Sequence, residues 1–258
     1  MKILRMMAAA FSLYSRIPVP HFEMNEEDMP HSLVFFPLVG LVIGALVFII
    51  NGTRPLSSLP VAVRIILSIL IPVIITGGFH IDGFMDTEDA MKSYAPAERR
   101  LEILKDPHIG AFAVISLVKW LLIYAAAVTL ILLNDRIDGR IIIVWGLVFV
   151  ISRCLSGLSA FLFVKARRDG MLYEEAGKKS IPVITALVFQ LLLSAGAAIC
   201  MDLFCGTAVA GAFAVCTVFY RYRSYRDFGG VTGDTAGYFV TVSEITAAAC
   251  LAAALYIR

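Results

Sequence analysis

The sequence predicts an all-α, polytopic integral membrane protein of about seven transmembrane helices, and three observations carry that expectation. Hydrophobic residues make up 59% of the 258 residues, charged residues only 16%, and mean hydropathy is +0.84, whereas a soluble domain carries charge on about a quarter of its residues. The apolar residues come in blocks, and about 20 of them as helix cross a hydrocarbon core of about 30 Å. The blocks lack the two-residue alternation of a membrane barrel, the other structure that satisfies its own backbone in lipid.

Taken in order, Met1–Tyr14 reads as a short interfacial helix stopped by Pro18 and Pro20, the whole forming an N-terminal segment of residues 1–20. No small-residue cleavage pattern follows a proper apolar core there. The seven spans are expected at Ser32–Ile50, Val61–Phe79, Ile109–Leu133, Gly139–Val164, Ile181–Met201, Gly206–Tyr220 and Asp234–Ile257. The second contains Pro72 and the sixth is short. With neither an internal repeat nor a soluble domain, residues 1–258 read as a single membrane-embedded domain.

Charge sets the orientation. With seven spans, fifteen of the 22 Lys and Arg residues fall on the side that holds the N-terminus, residues 78–108, 165–180 and 221–233. The opposite side holds Arg54, Arg136, Arg140 and Arg258, and Arg64, Lys119 and Arg153 fall within spans. This bias predicts that the first side faces the cytoplasm. The net charge of +2 adds little to that asymmetry, no nucleic-acid partner is expected, and the five cysteines, without a CxxC pair, read as packing residues.

The reactive residues gather on that same side. Residues 77–110, read as an acidic motif loop, contain Asp82, Asp86 and Asp89 at i, i+4 and i+7. If helical, Asp86 and Asp89 lie about 40° and 20° from Asp82 around the axis, so all three point one way. Three such carboxylates repel unless a cation sits among them, and hard oxygen donors suit Mg²⁺ or Mn²⁺ with a substrate phosphate completing the shell. The alternative is a solvated acidic face at a helix start. Gly78 and Gly83 leave room for close approach of a ligand or backbone. Further on, Arg99, Arg100, Lys105 and Asp106 suit either a polyanion or an anionic lipid surface. His80, two residues before Asp82, is either a local hydrogen-bonding group or a functional one.

A glycine-rich loop at residues 228–237 precedes the last span, and its free N–H groups suit a phosphate. Gly230 and Thr235 lie in it, with Asp234 either an N-cap or a fourth carboxylate. Glu244 and Arg153 fall inside spans, where an ionised group needs a partner or ligand; each suits an anionic or metal-bound ligand, or the other.

Together these motifs resemble the cobalamin synthase family. The run Gly77-Gly78-Phe79-His80-Ile81-Asp82-Gly83, then Asp86-Thr87-Glu88-Asp89, is similar to its GG-hydrophobic-H-x-DG-x-x-DT-x-D signature. Residues 99–112, RRLEILKDPHIGAF, are similar to a second motif, and Ser15–Pro20, Phe36–Gly40, Ser152-Arg153 and Gly229–Thr235 match in order. Ala90 and Thr241 depart from the family pattern. The resemblance implies a transferase acting at the last steps of cobalamin biosynthesis. It would join adenosylcobinamide-GDP to α-ribazole, or its 5′-phosphate, and release GMP.

The resemblance implies Mg²⁺, with Mn²⁺ as the alternative, on Asp82, Asp86 and Asp89. Asp82, Asp234 and His80 are the expected catalytic residues, Asp234 as a ligand or as the base. Lys105, Asp106, Arg153, Gly78, Gly83, Gly230, Thr235 and Glu244 are the expected substrate-binding residues. Membrane lipid, a second copy of the chain and other corrinoid enzymes are the remaining partners considered. A CDP-alcohol phosphotransferase-like or prenyltransferase-like enzyme would share the metal–diphosphate physics, and a transporter is the reading from a different class.

Overall fold

The computed structural model describes residues 2–20, 29–177 and 179–257. Met1, Lys178 and Arg258, which enter the expected N-terminal helix and the charge bias, lie outside the described residues. The described residues are mainly helical, with α1 at Lys2–Tyr14, α2 at Met29–Ser32, α3 at Phe36–Gly52, α4 at Val61–Thr76, α5 at Phe79–Lys92 and α6 at Ala97–Ile103. There follow α7 at Ala111–Leu133, α8 at Gly139–Leu162, α9 at Met171–Ala176, α10 at Ile181–Met201, α11 at Leu203–Phe228 and α12 at Gly233–Ile257. Among the described residues there is no strand, only an isolated bridge between Lys165 and Val231.

Among the described residues six helical segments are long and apolar enough to cross a membrane: Met29–Gly52, α7, α8, α10, α11 and α12. The expected second span corresponds to α4, which stops at Thr76 after 16 residues and turns by 90° into α5. Counting that bent pair as one crossing restores seven. α5 itself is no span: it has 14 residues and carries three aspartates and a glutamate. The short sixth span lengthens to the 26 residues of α11, because its polar end, Arg221–Asp227, stays helical beyond the apolar core.

Close backbone approach holds the centre together. α8 is buried along most of its length, and α3 lies directly against it. A Cβ on Gly40 would strike the carbonyl of Phe149, and one on Gly44 would strike Gly146. These two glycines, four apart on one face, are the small-xxx-small device by which helices pack in lipid, where no hydrophobic force pushes them together. Trp145, Phe149 and Ile151 of α8 fill the core with Val39, Ile43 and Leu251. Asp138 caps α8, accepting from the backbone N–H of Arg140 and Ile141 at 2.9 and 3.0 Å, and Asp202 caps α11 through Cys205.

Two corrections concern the polar segments. The stretch 77–110, expected as a loop, folds into α5 and α6. The glycine-rich loop shrinks to residues 229–232, because α12 begins at Gly233. Of the five cysteines, all free thiols, Cys154, Cys205 and Cys216 are buried as packing residues, whereas Cys200 is exposed.

Candidate functional site

The site begins at the bend between α4 and α5. Gly77 and Gly78 both adopt left-handed backbone, at φ of 63° and 82°, where a Cβ is penalised. The N–H of Gly78 reaches back to the carbonyl of Val73 at 3.1 Å, closing α4 as a left-handed glycine cap. The turn directs α5 across the end of the bundle and brings it against α12.

That contact is made by backbone. A Cβ on Gly83 would lie 2.8 Å from the carbonyl oxygen of Asp234, and one on Gly237 would lie 3.1 Å from that of His80. Thr241, the departure from the family pattern in the last span, donates its hydroxyl to the same His80 carbonyl at 3.2 Å. Asp82, next to Gly83, and Asp234 therefore come to line one cavity.

Two loops complete it. Gly230 leaves the space into which the backbone of 164–166 packs. The N–H of Val231 donates to Val164 at 2.8 Å, and that of Ala166 donates to Val231 at 3.0 Å. This short parallel pairing holds Arg167 in place, whose Nη2 donates to Asp234 Oδ2 at 2.8 Å. Thr232 and Thr235 cap α12 reciprocally, each hydroxyl accepting the other's N–H, at 2.8 and 3.2 Å.

The resulting cavity, of about 300 Å³, is lined by Asp82 and Asp234 and by Lys105, Lys165 and Arg167, with Phe79 and Tyr173 at its edge. Lys105 reaches it from the end of α6 and pairs with Asp169 at 2.9 Å. Burial, and then the neighbouring Lys179, hold the Lys165 ammonium below its ordinary value. Carboxylates and cations face each other across the same space, an arrangement suited to a polyanion and a divalent cation together.

The expected site residues divide three ways. Asp82, Gly83, Lys105 and Asp234 line this cavity, and Gly78 opens beside it with nothing within 4 Å of its Cβ position. Gly230 and Thr235 are buried and engaged in the loop pairing and the helix cap, so they position the site rather than face a ligand. Asp106 is exposed and turned to His108, whose N–H donates to it at 3.0 Å and holds its carboxyl below the ordinary range.

Arg153, Glu244 and His80 lie elsewhere. Arg153 Nη1 donates to Glu244 Oε1 at 2.5 Å, and Ser152 donates to the same oxygen at 2.6 Å. The pair lines a separate cavity of about 80 Å³ in the apolar interior, consistent with the pairing alternative raised from sequence. His80 is buried beside Phe36 and Phe79 and borders that interior cavity. Burial, and then Arg153, hold its imidazole well below the usual range.

Of the acidic triad, Asp82 alone lines the polar cavity among the described residues. Asp86, one turn on, is half-buried, and burial, followed by the charges of Asp82, Asp234 and Asp89, pushes its carboxyl up to about 6. The Asp89 carboxylate is turned against Gly110 at the start of α7. Among the described residues no group of three or more His, Cys, Asp or Glu side chains is gathered closely enough to hold a metal ion. Mg²⁺ commonly takes only one or two carboxylates and completes its shell with substrate phosphates and water. Asp82 and Asp86 are a hard-oxygen pair of that kind, and their mutual repulsion is what a cation relieves.

Sequence reasoning missed Arg167 and Lys165 as site residues. Their loop was visible as a basic cluster, KARRD, but nothing in the spacing tied it to the loop before α12.

The profile of a family described as cobalamin-5-phosphate synthase matches residues 6–252. A protein of Lachnoclostridium phytofermentans named adenosylcobinamide-GDP ribazoletransferase is 37% identical over 249 residues, covering 96% of this chain and 93% of that protein. Proteins of the same name from Clostridioides difficile and Clostridium perfringens are 33% identical over 240 residues and 30% over 242, covering 90% and 91% of this chain and 90% and 92% of those proteins. No solved structure matches the chain.

Proposed function

This multi-pass membrane protein belongs to the cobalamin-5-phosphate synthase family, and on that premise we propose that it joins adenosylcobinamide-GDP to α-ribazole or α-ribazole 5′-phosphate. The hydroxyl of the ribazole attacks the corrinoid-side phosphorus. A new P–O bond forms there, the bond to the bridging oxygen breaks, and GMP leaves with the electron pair. The products are adenosylcobalamin, or its 5′-phosphate, and GMP.

One observation carries this reading: Asp82 and Asp234 share a cavity with Lys105, Lys165 and Arg167. The three cations hold the diphosphate oxygens and offset the charge that develops on the departing GMP. Asp234, fixed by Arg167, takes the hydroxyl proton as the bond forms. Asp82 and Asp86 would hold Mg²⁺, which when bound neutralises the diphosphate and aligns it for in-line attack. At about 300 Å³ the cavity accommodates the diphosphate and its immediate neighbours, so the corrin ring rests outside it.

The bend at Gly77–Gly78, the 163–170 loop and the 229–232 loop all lie at the end of the bundle where the basic residues concentrate. By the distribution of Lys and Arg that end faces the cytoplasm, where charged substrates are available.

The test is product analysis with purified protein, adenosylcobinamide-GDP, Mg²⁺ and either α-ribazole or its 5′-phosphate. Stoichiometric GMP and a cobalamin product are expected, with loss of both in Asp82→Asn. Turnover of a CDP-alcohol with CMP release instead, or full Mg²⁺-dependent activity in a folded Asp82→Asn protein, would overturn the reading.

A further inference from the structure

A larger opening lies away from the polar cavity. Between α7 and α11 runs a groove of about 630 Å³, with residues of α5, α6 and α12 closing it. One end is cationic. Arg100, Arg223 and Arg226 all gather on the buried Asp227, at 2.8, 2.7 and 2.8 Å, so three guanidiniums share one carboxylate. The Nε atom of Arg100 is buried there without a hydrogen-bond partner. Lys119, nine residues into α7, adds a further charge; no carboxylate among the described residues pairs with it, and its ammonium lies 5.6 Å from the Trp120 ring centre.

The rest of the groove is more apolar, and the one carboxylate among its other lining residues, Glu88, is neutralised by Lys92 at 2.8 Å. Val215 and Phe219 of α11 and Val242 of α12 line it, and Val215 is 69% exposed although it lies within a span. Excess positive charge at one end and an apolar trough along the remainder match an amphiphile with an anionic head. A soluble anion leaves the trough unfilled. A neutral lipid leaves the arginines undercompensated, and a second copy of the chain would bring the same positive charge.

We propose that this groove binds one anionic phospholipid, its phosphate at Arg100, Arg223 and Arg226 and an acyl chain along Val215 and Phe219. Lys119 reaches up its own helix to the same head group. The cations lie at the end of the bundle that carries the basic bias, and the cytoplasmic leaflet is the one rich in anionic lipid. The bound lipid closes the gap between α7 and α11.

Native mass spectrometry of the full chain in detergent, given equal phosphatidylglycerol and phosphatidylcholine, tests this directly. One phosphatidylglycerol is expected to be retained in preference, and Arg226→Gln and Lys119→Leu are each expected to weaken that preference about fivefold. Val215→Trp, which fills the trough without altering charge, is expected to abolish retention of the lipid. Lys179→Gln, an exposed cation outside the groove, is expected to change nothing. Equal retention of the two lipids, wild-type retention in the groove variants, or displacement of the lipid by equimolar glycerol 3-phosphate would overturn the proposal.

Discussion

Gly83 and Asp234 are in backbone contact: a methyl group on Gly83 would stand 2.8 Å from the Asp234 carbonyl oxygen. The two residues come from helices more than 150 positions apart in sequence, and this approach is what puts the α5 carboxylates beside the start of α12. Gly83→Val is therefore expected to push α5 outward and to lower kcat for GMP release by about 100-fold, the usual consequence of a displacement of about 1 Å at a reacting centre. Gly83→Ala is expected to fall between that variant and wild type. Wild-type kcat in folded Gly83→Val would show that the contact does not set the site.

Asp86 makes a prediction about stability in the metal-free protein. Its carboxyl is raised from 3.8 to about 6, so the fold binds that proton more tightly than the unfolded chain does. Stability from this group is then present at low pH, declines as pH rises from about 4 to about 6, and is flat above. In EDTA, Asp86→Asn is expected to melt above wild type at pH 7.5 and to match it near pH 4, while losing activity. Identical melting curves at both pH values would contradict the assignment.

Mg²⁺ itself has a readout that does not depend on turnover. A cation held by Asp82 and Asp86 stabilises the folded protein by mass action, and protons compete with it at Asp86. Mg²⁺ is expected to raise the melting temperature of wild type more at pH 7.5 than at pH 5.5, and to have little effect on the Asp82→Asn/Asp86→Asn protein. An Mg²⁺ effect of equal size in that double variant would place the ion elsewhere.

The Arg153–Glu244 pair is buried in the bundle, with side-chain exposures of 0% and 11%. Removing one partner leaves an uncompensated charge and typically costs about 3–5 kcal/mol, whereas replacing both with apolar residues is often neutral. Arg153→Met and Glu244→Gln are each expected to melt well below wild type, and Arg153→Met/Glu244→Leu to recover most of the loss. Because the pair lies apart from the polar cavity, KM is expected to change little in the double variant. A large rise in KM there would instead assign Arg153 to substrate.

Tyr14 ties the N-terminal helix to the rim of the site. Its hydroxyl donates to Glu175 at 2.5 Å, in a contact where burial pushes the Glu175 carboxyl up to about 7. Glu175 lies on α9, whose Met171 and Tyr173 border the polar cavity. Tyr14→Phe leaves a buried carboxyl without its donor, a loss of about 1–3 kcal/mol. Faster hydrogen exchange in α9 is the expected signature, and unchanged exchange there would argue against the tie.

Much of this was legible in one dimension. Hydrocarbon forbids unpaired backbone groups, so the apolar blocks had to be helices, and their bounds came within a few residues of α7, α8, α10 and α12. The i, i+4, i+7 spacing of Asp82, Asp86 and Asp89 named a polar face, and the 228–237 run named a turn, whereas the expected span Val61–Phe79 ran straight through the bend at Gly77–Gly78. The helicity of Ala97–Ile103 was open in the sequence, whose charged residues suit an amphipathic helix on anionic lipid as well as a loop that holds a polyanion.

Which side chains share the cavity was decided by the tertiary structure. Hydropathy locates a helix along the chain but carries no information about its neighbour or its rotation against that neighbour. Those follow from packing: Gly83 and Gly237 bring α5 onto α12, and the 164–166 and 230–231 backbones pair through the space Gly230 leaves. Only then does Arg167 reach Asp234, and only the facing of α8 with α12 turns Arg153 and Glu244 toward each other. The sequence determined that a carboxylate face and a glycine-rich turn exist at one end of a helical bundle, since both are local. That they meet, and with which cations, rests on contacts between segments far apart in the chain, which no local pattern encodes.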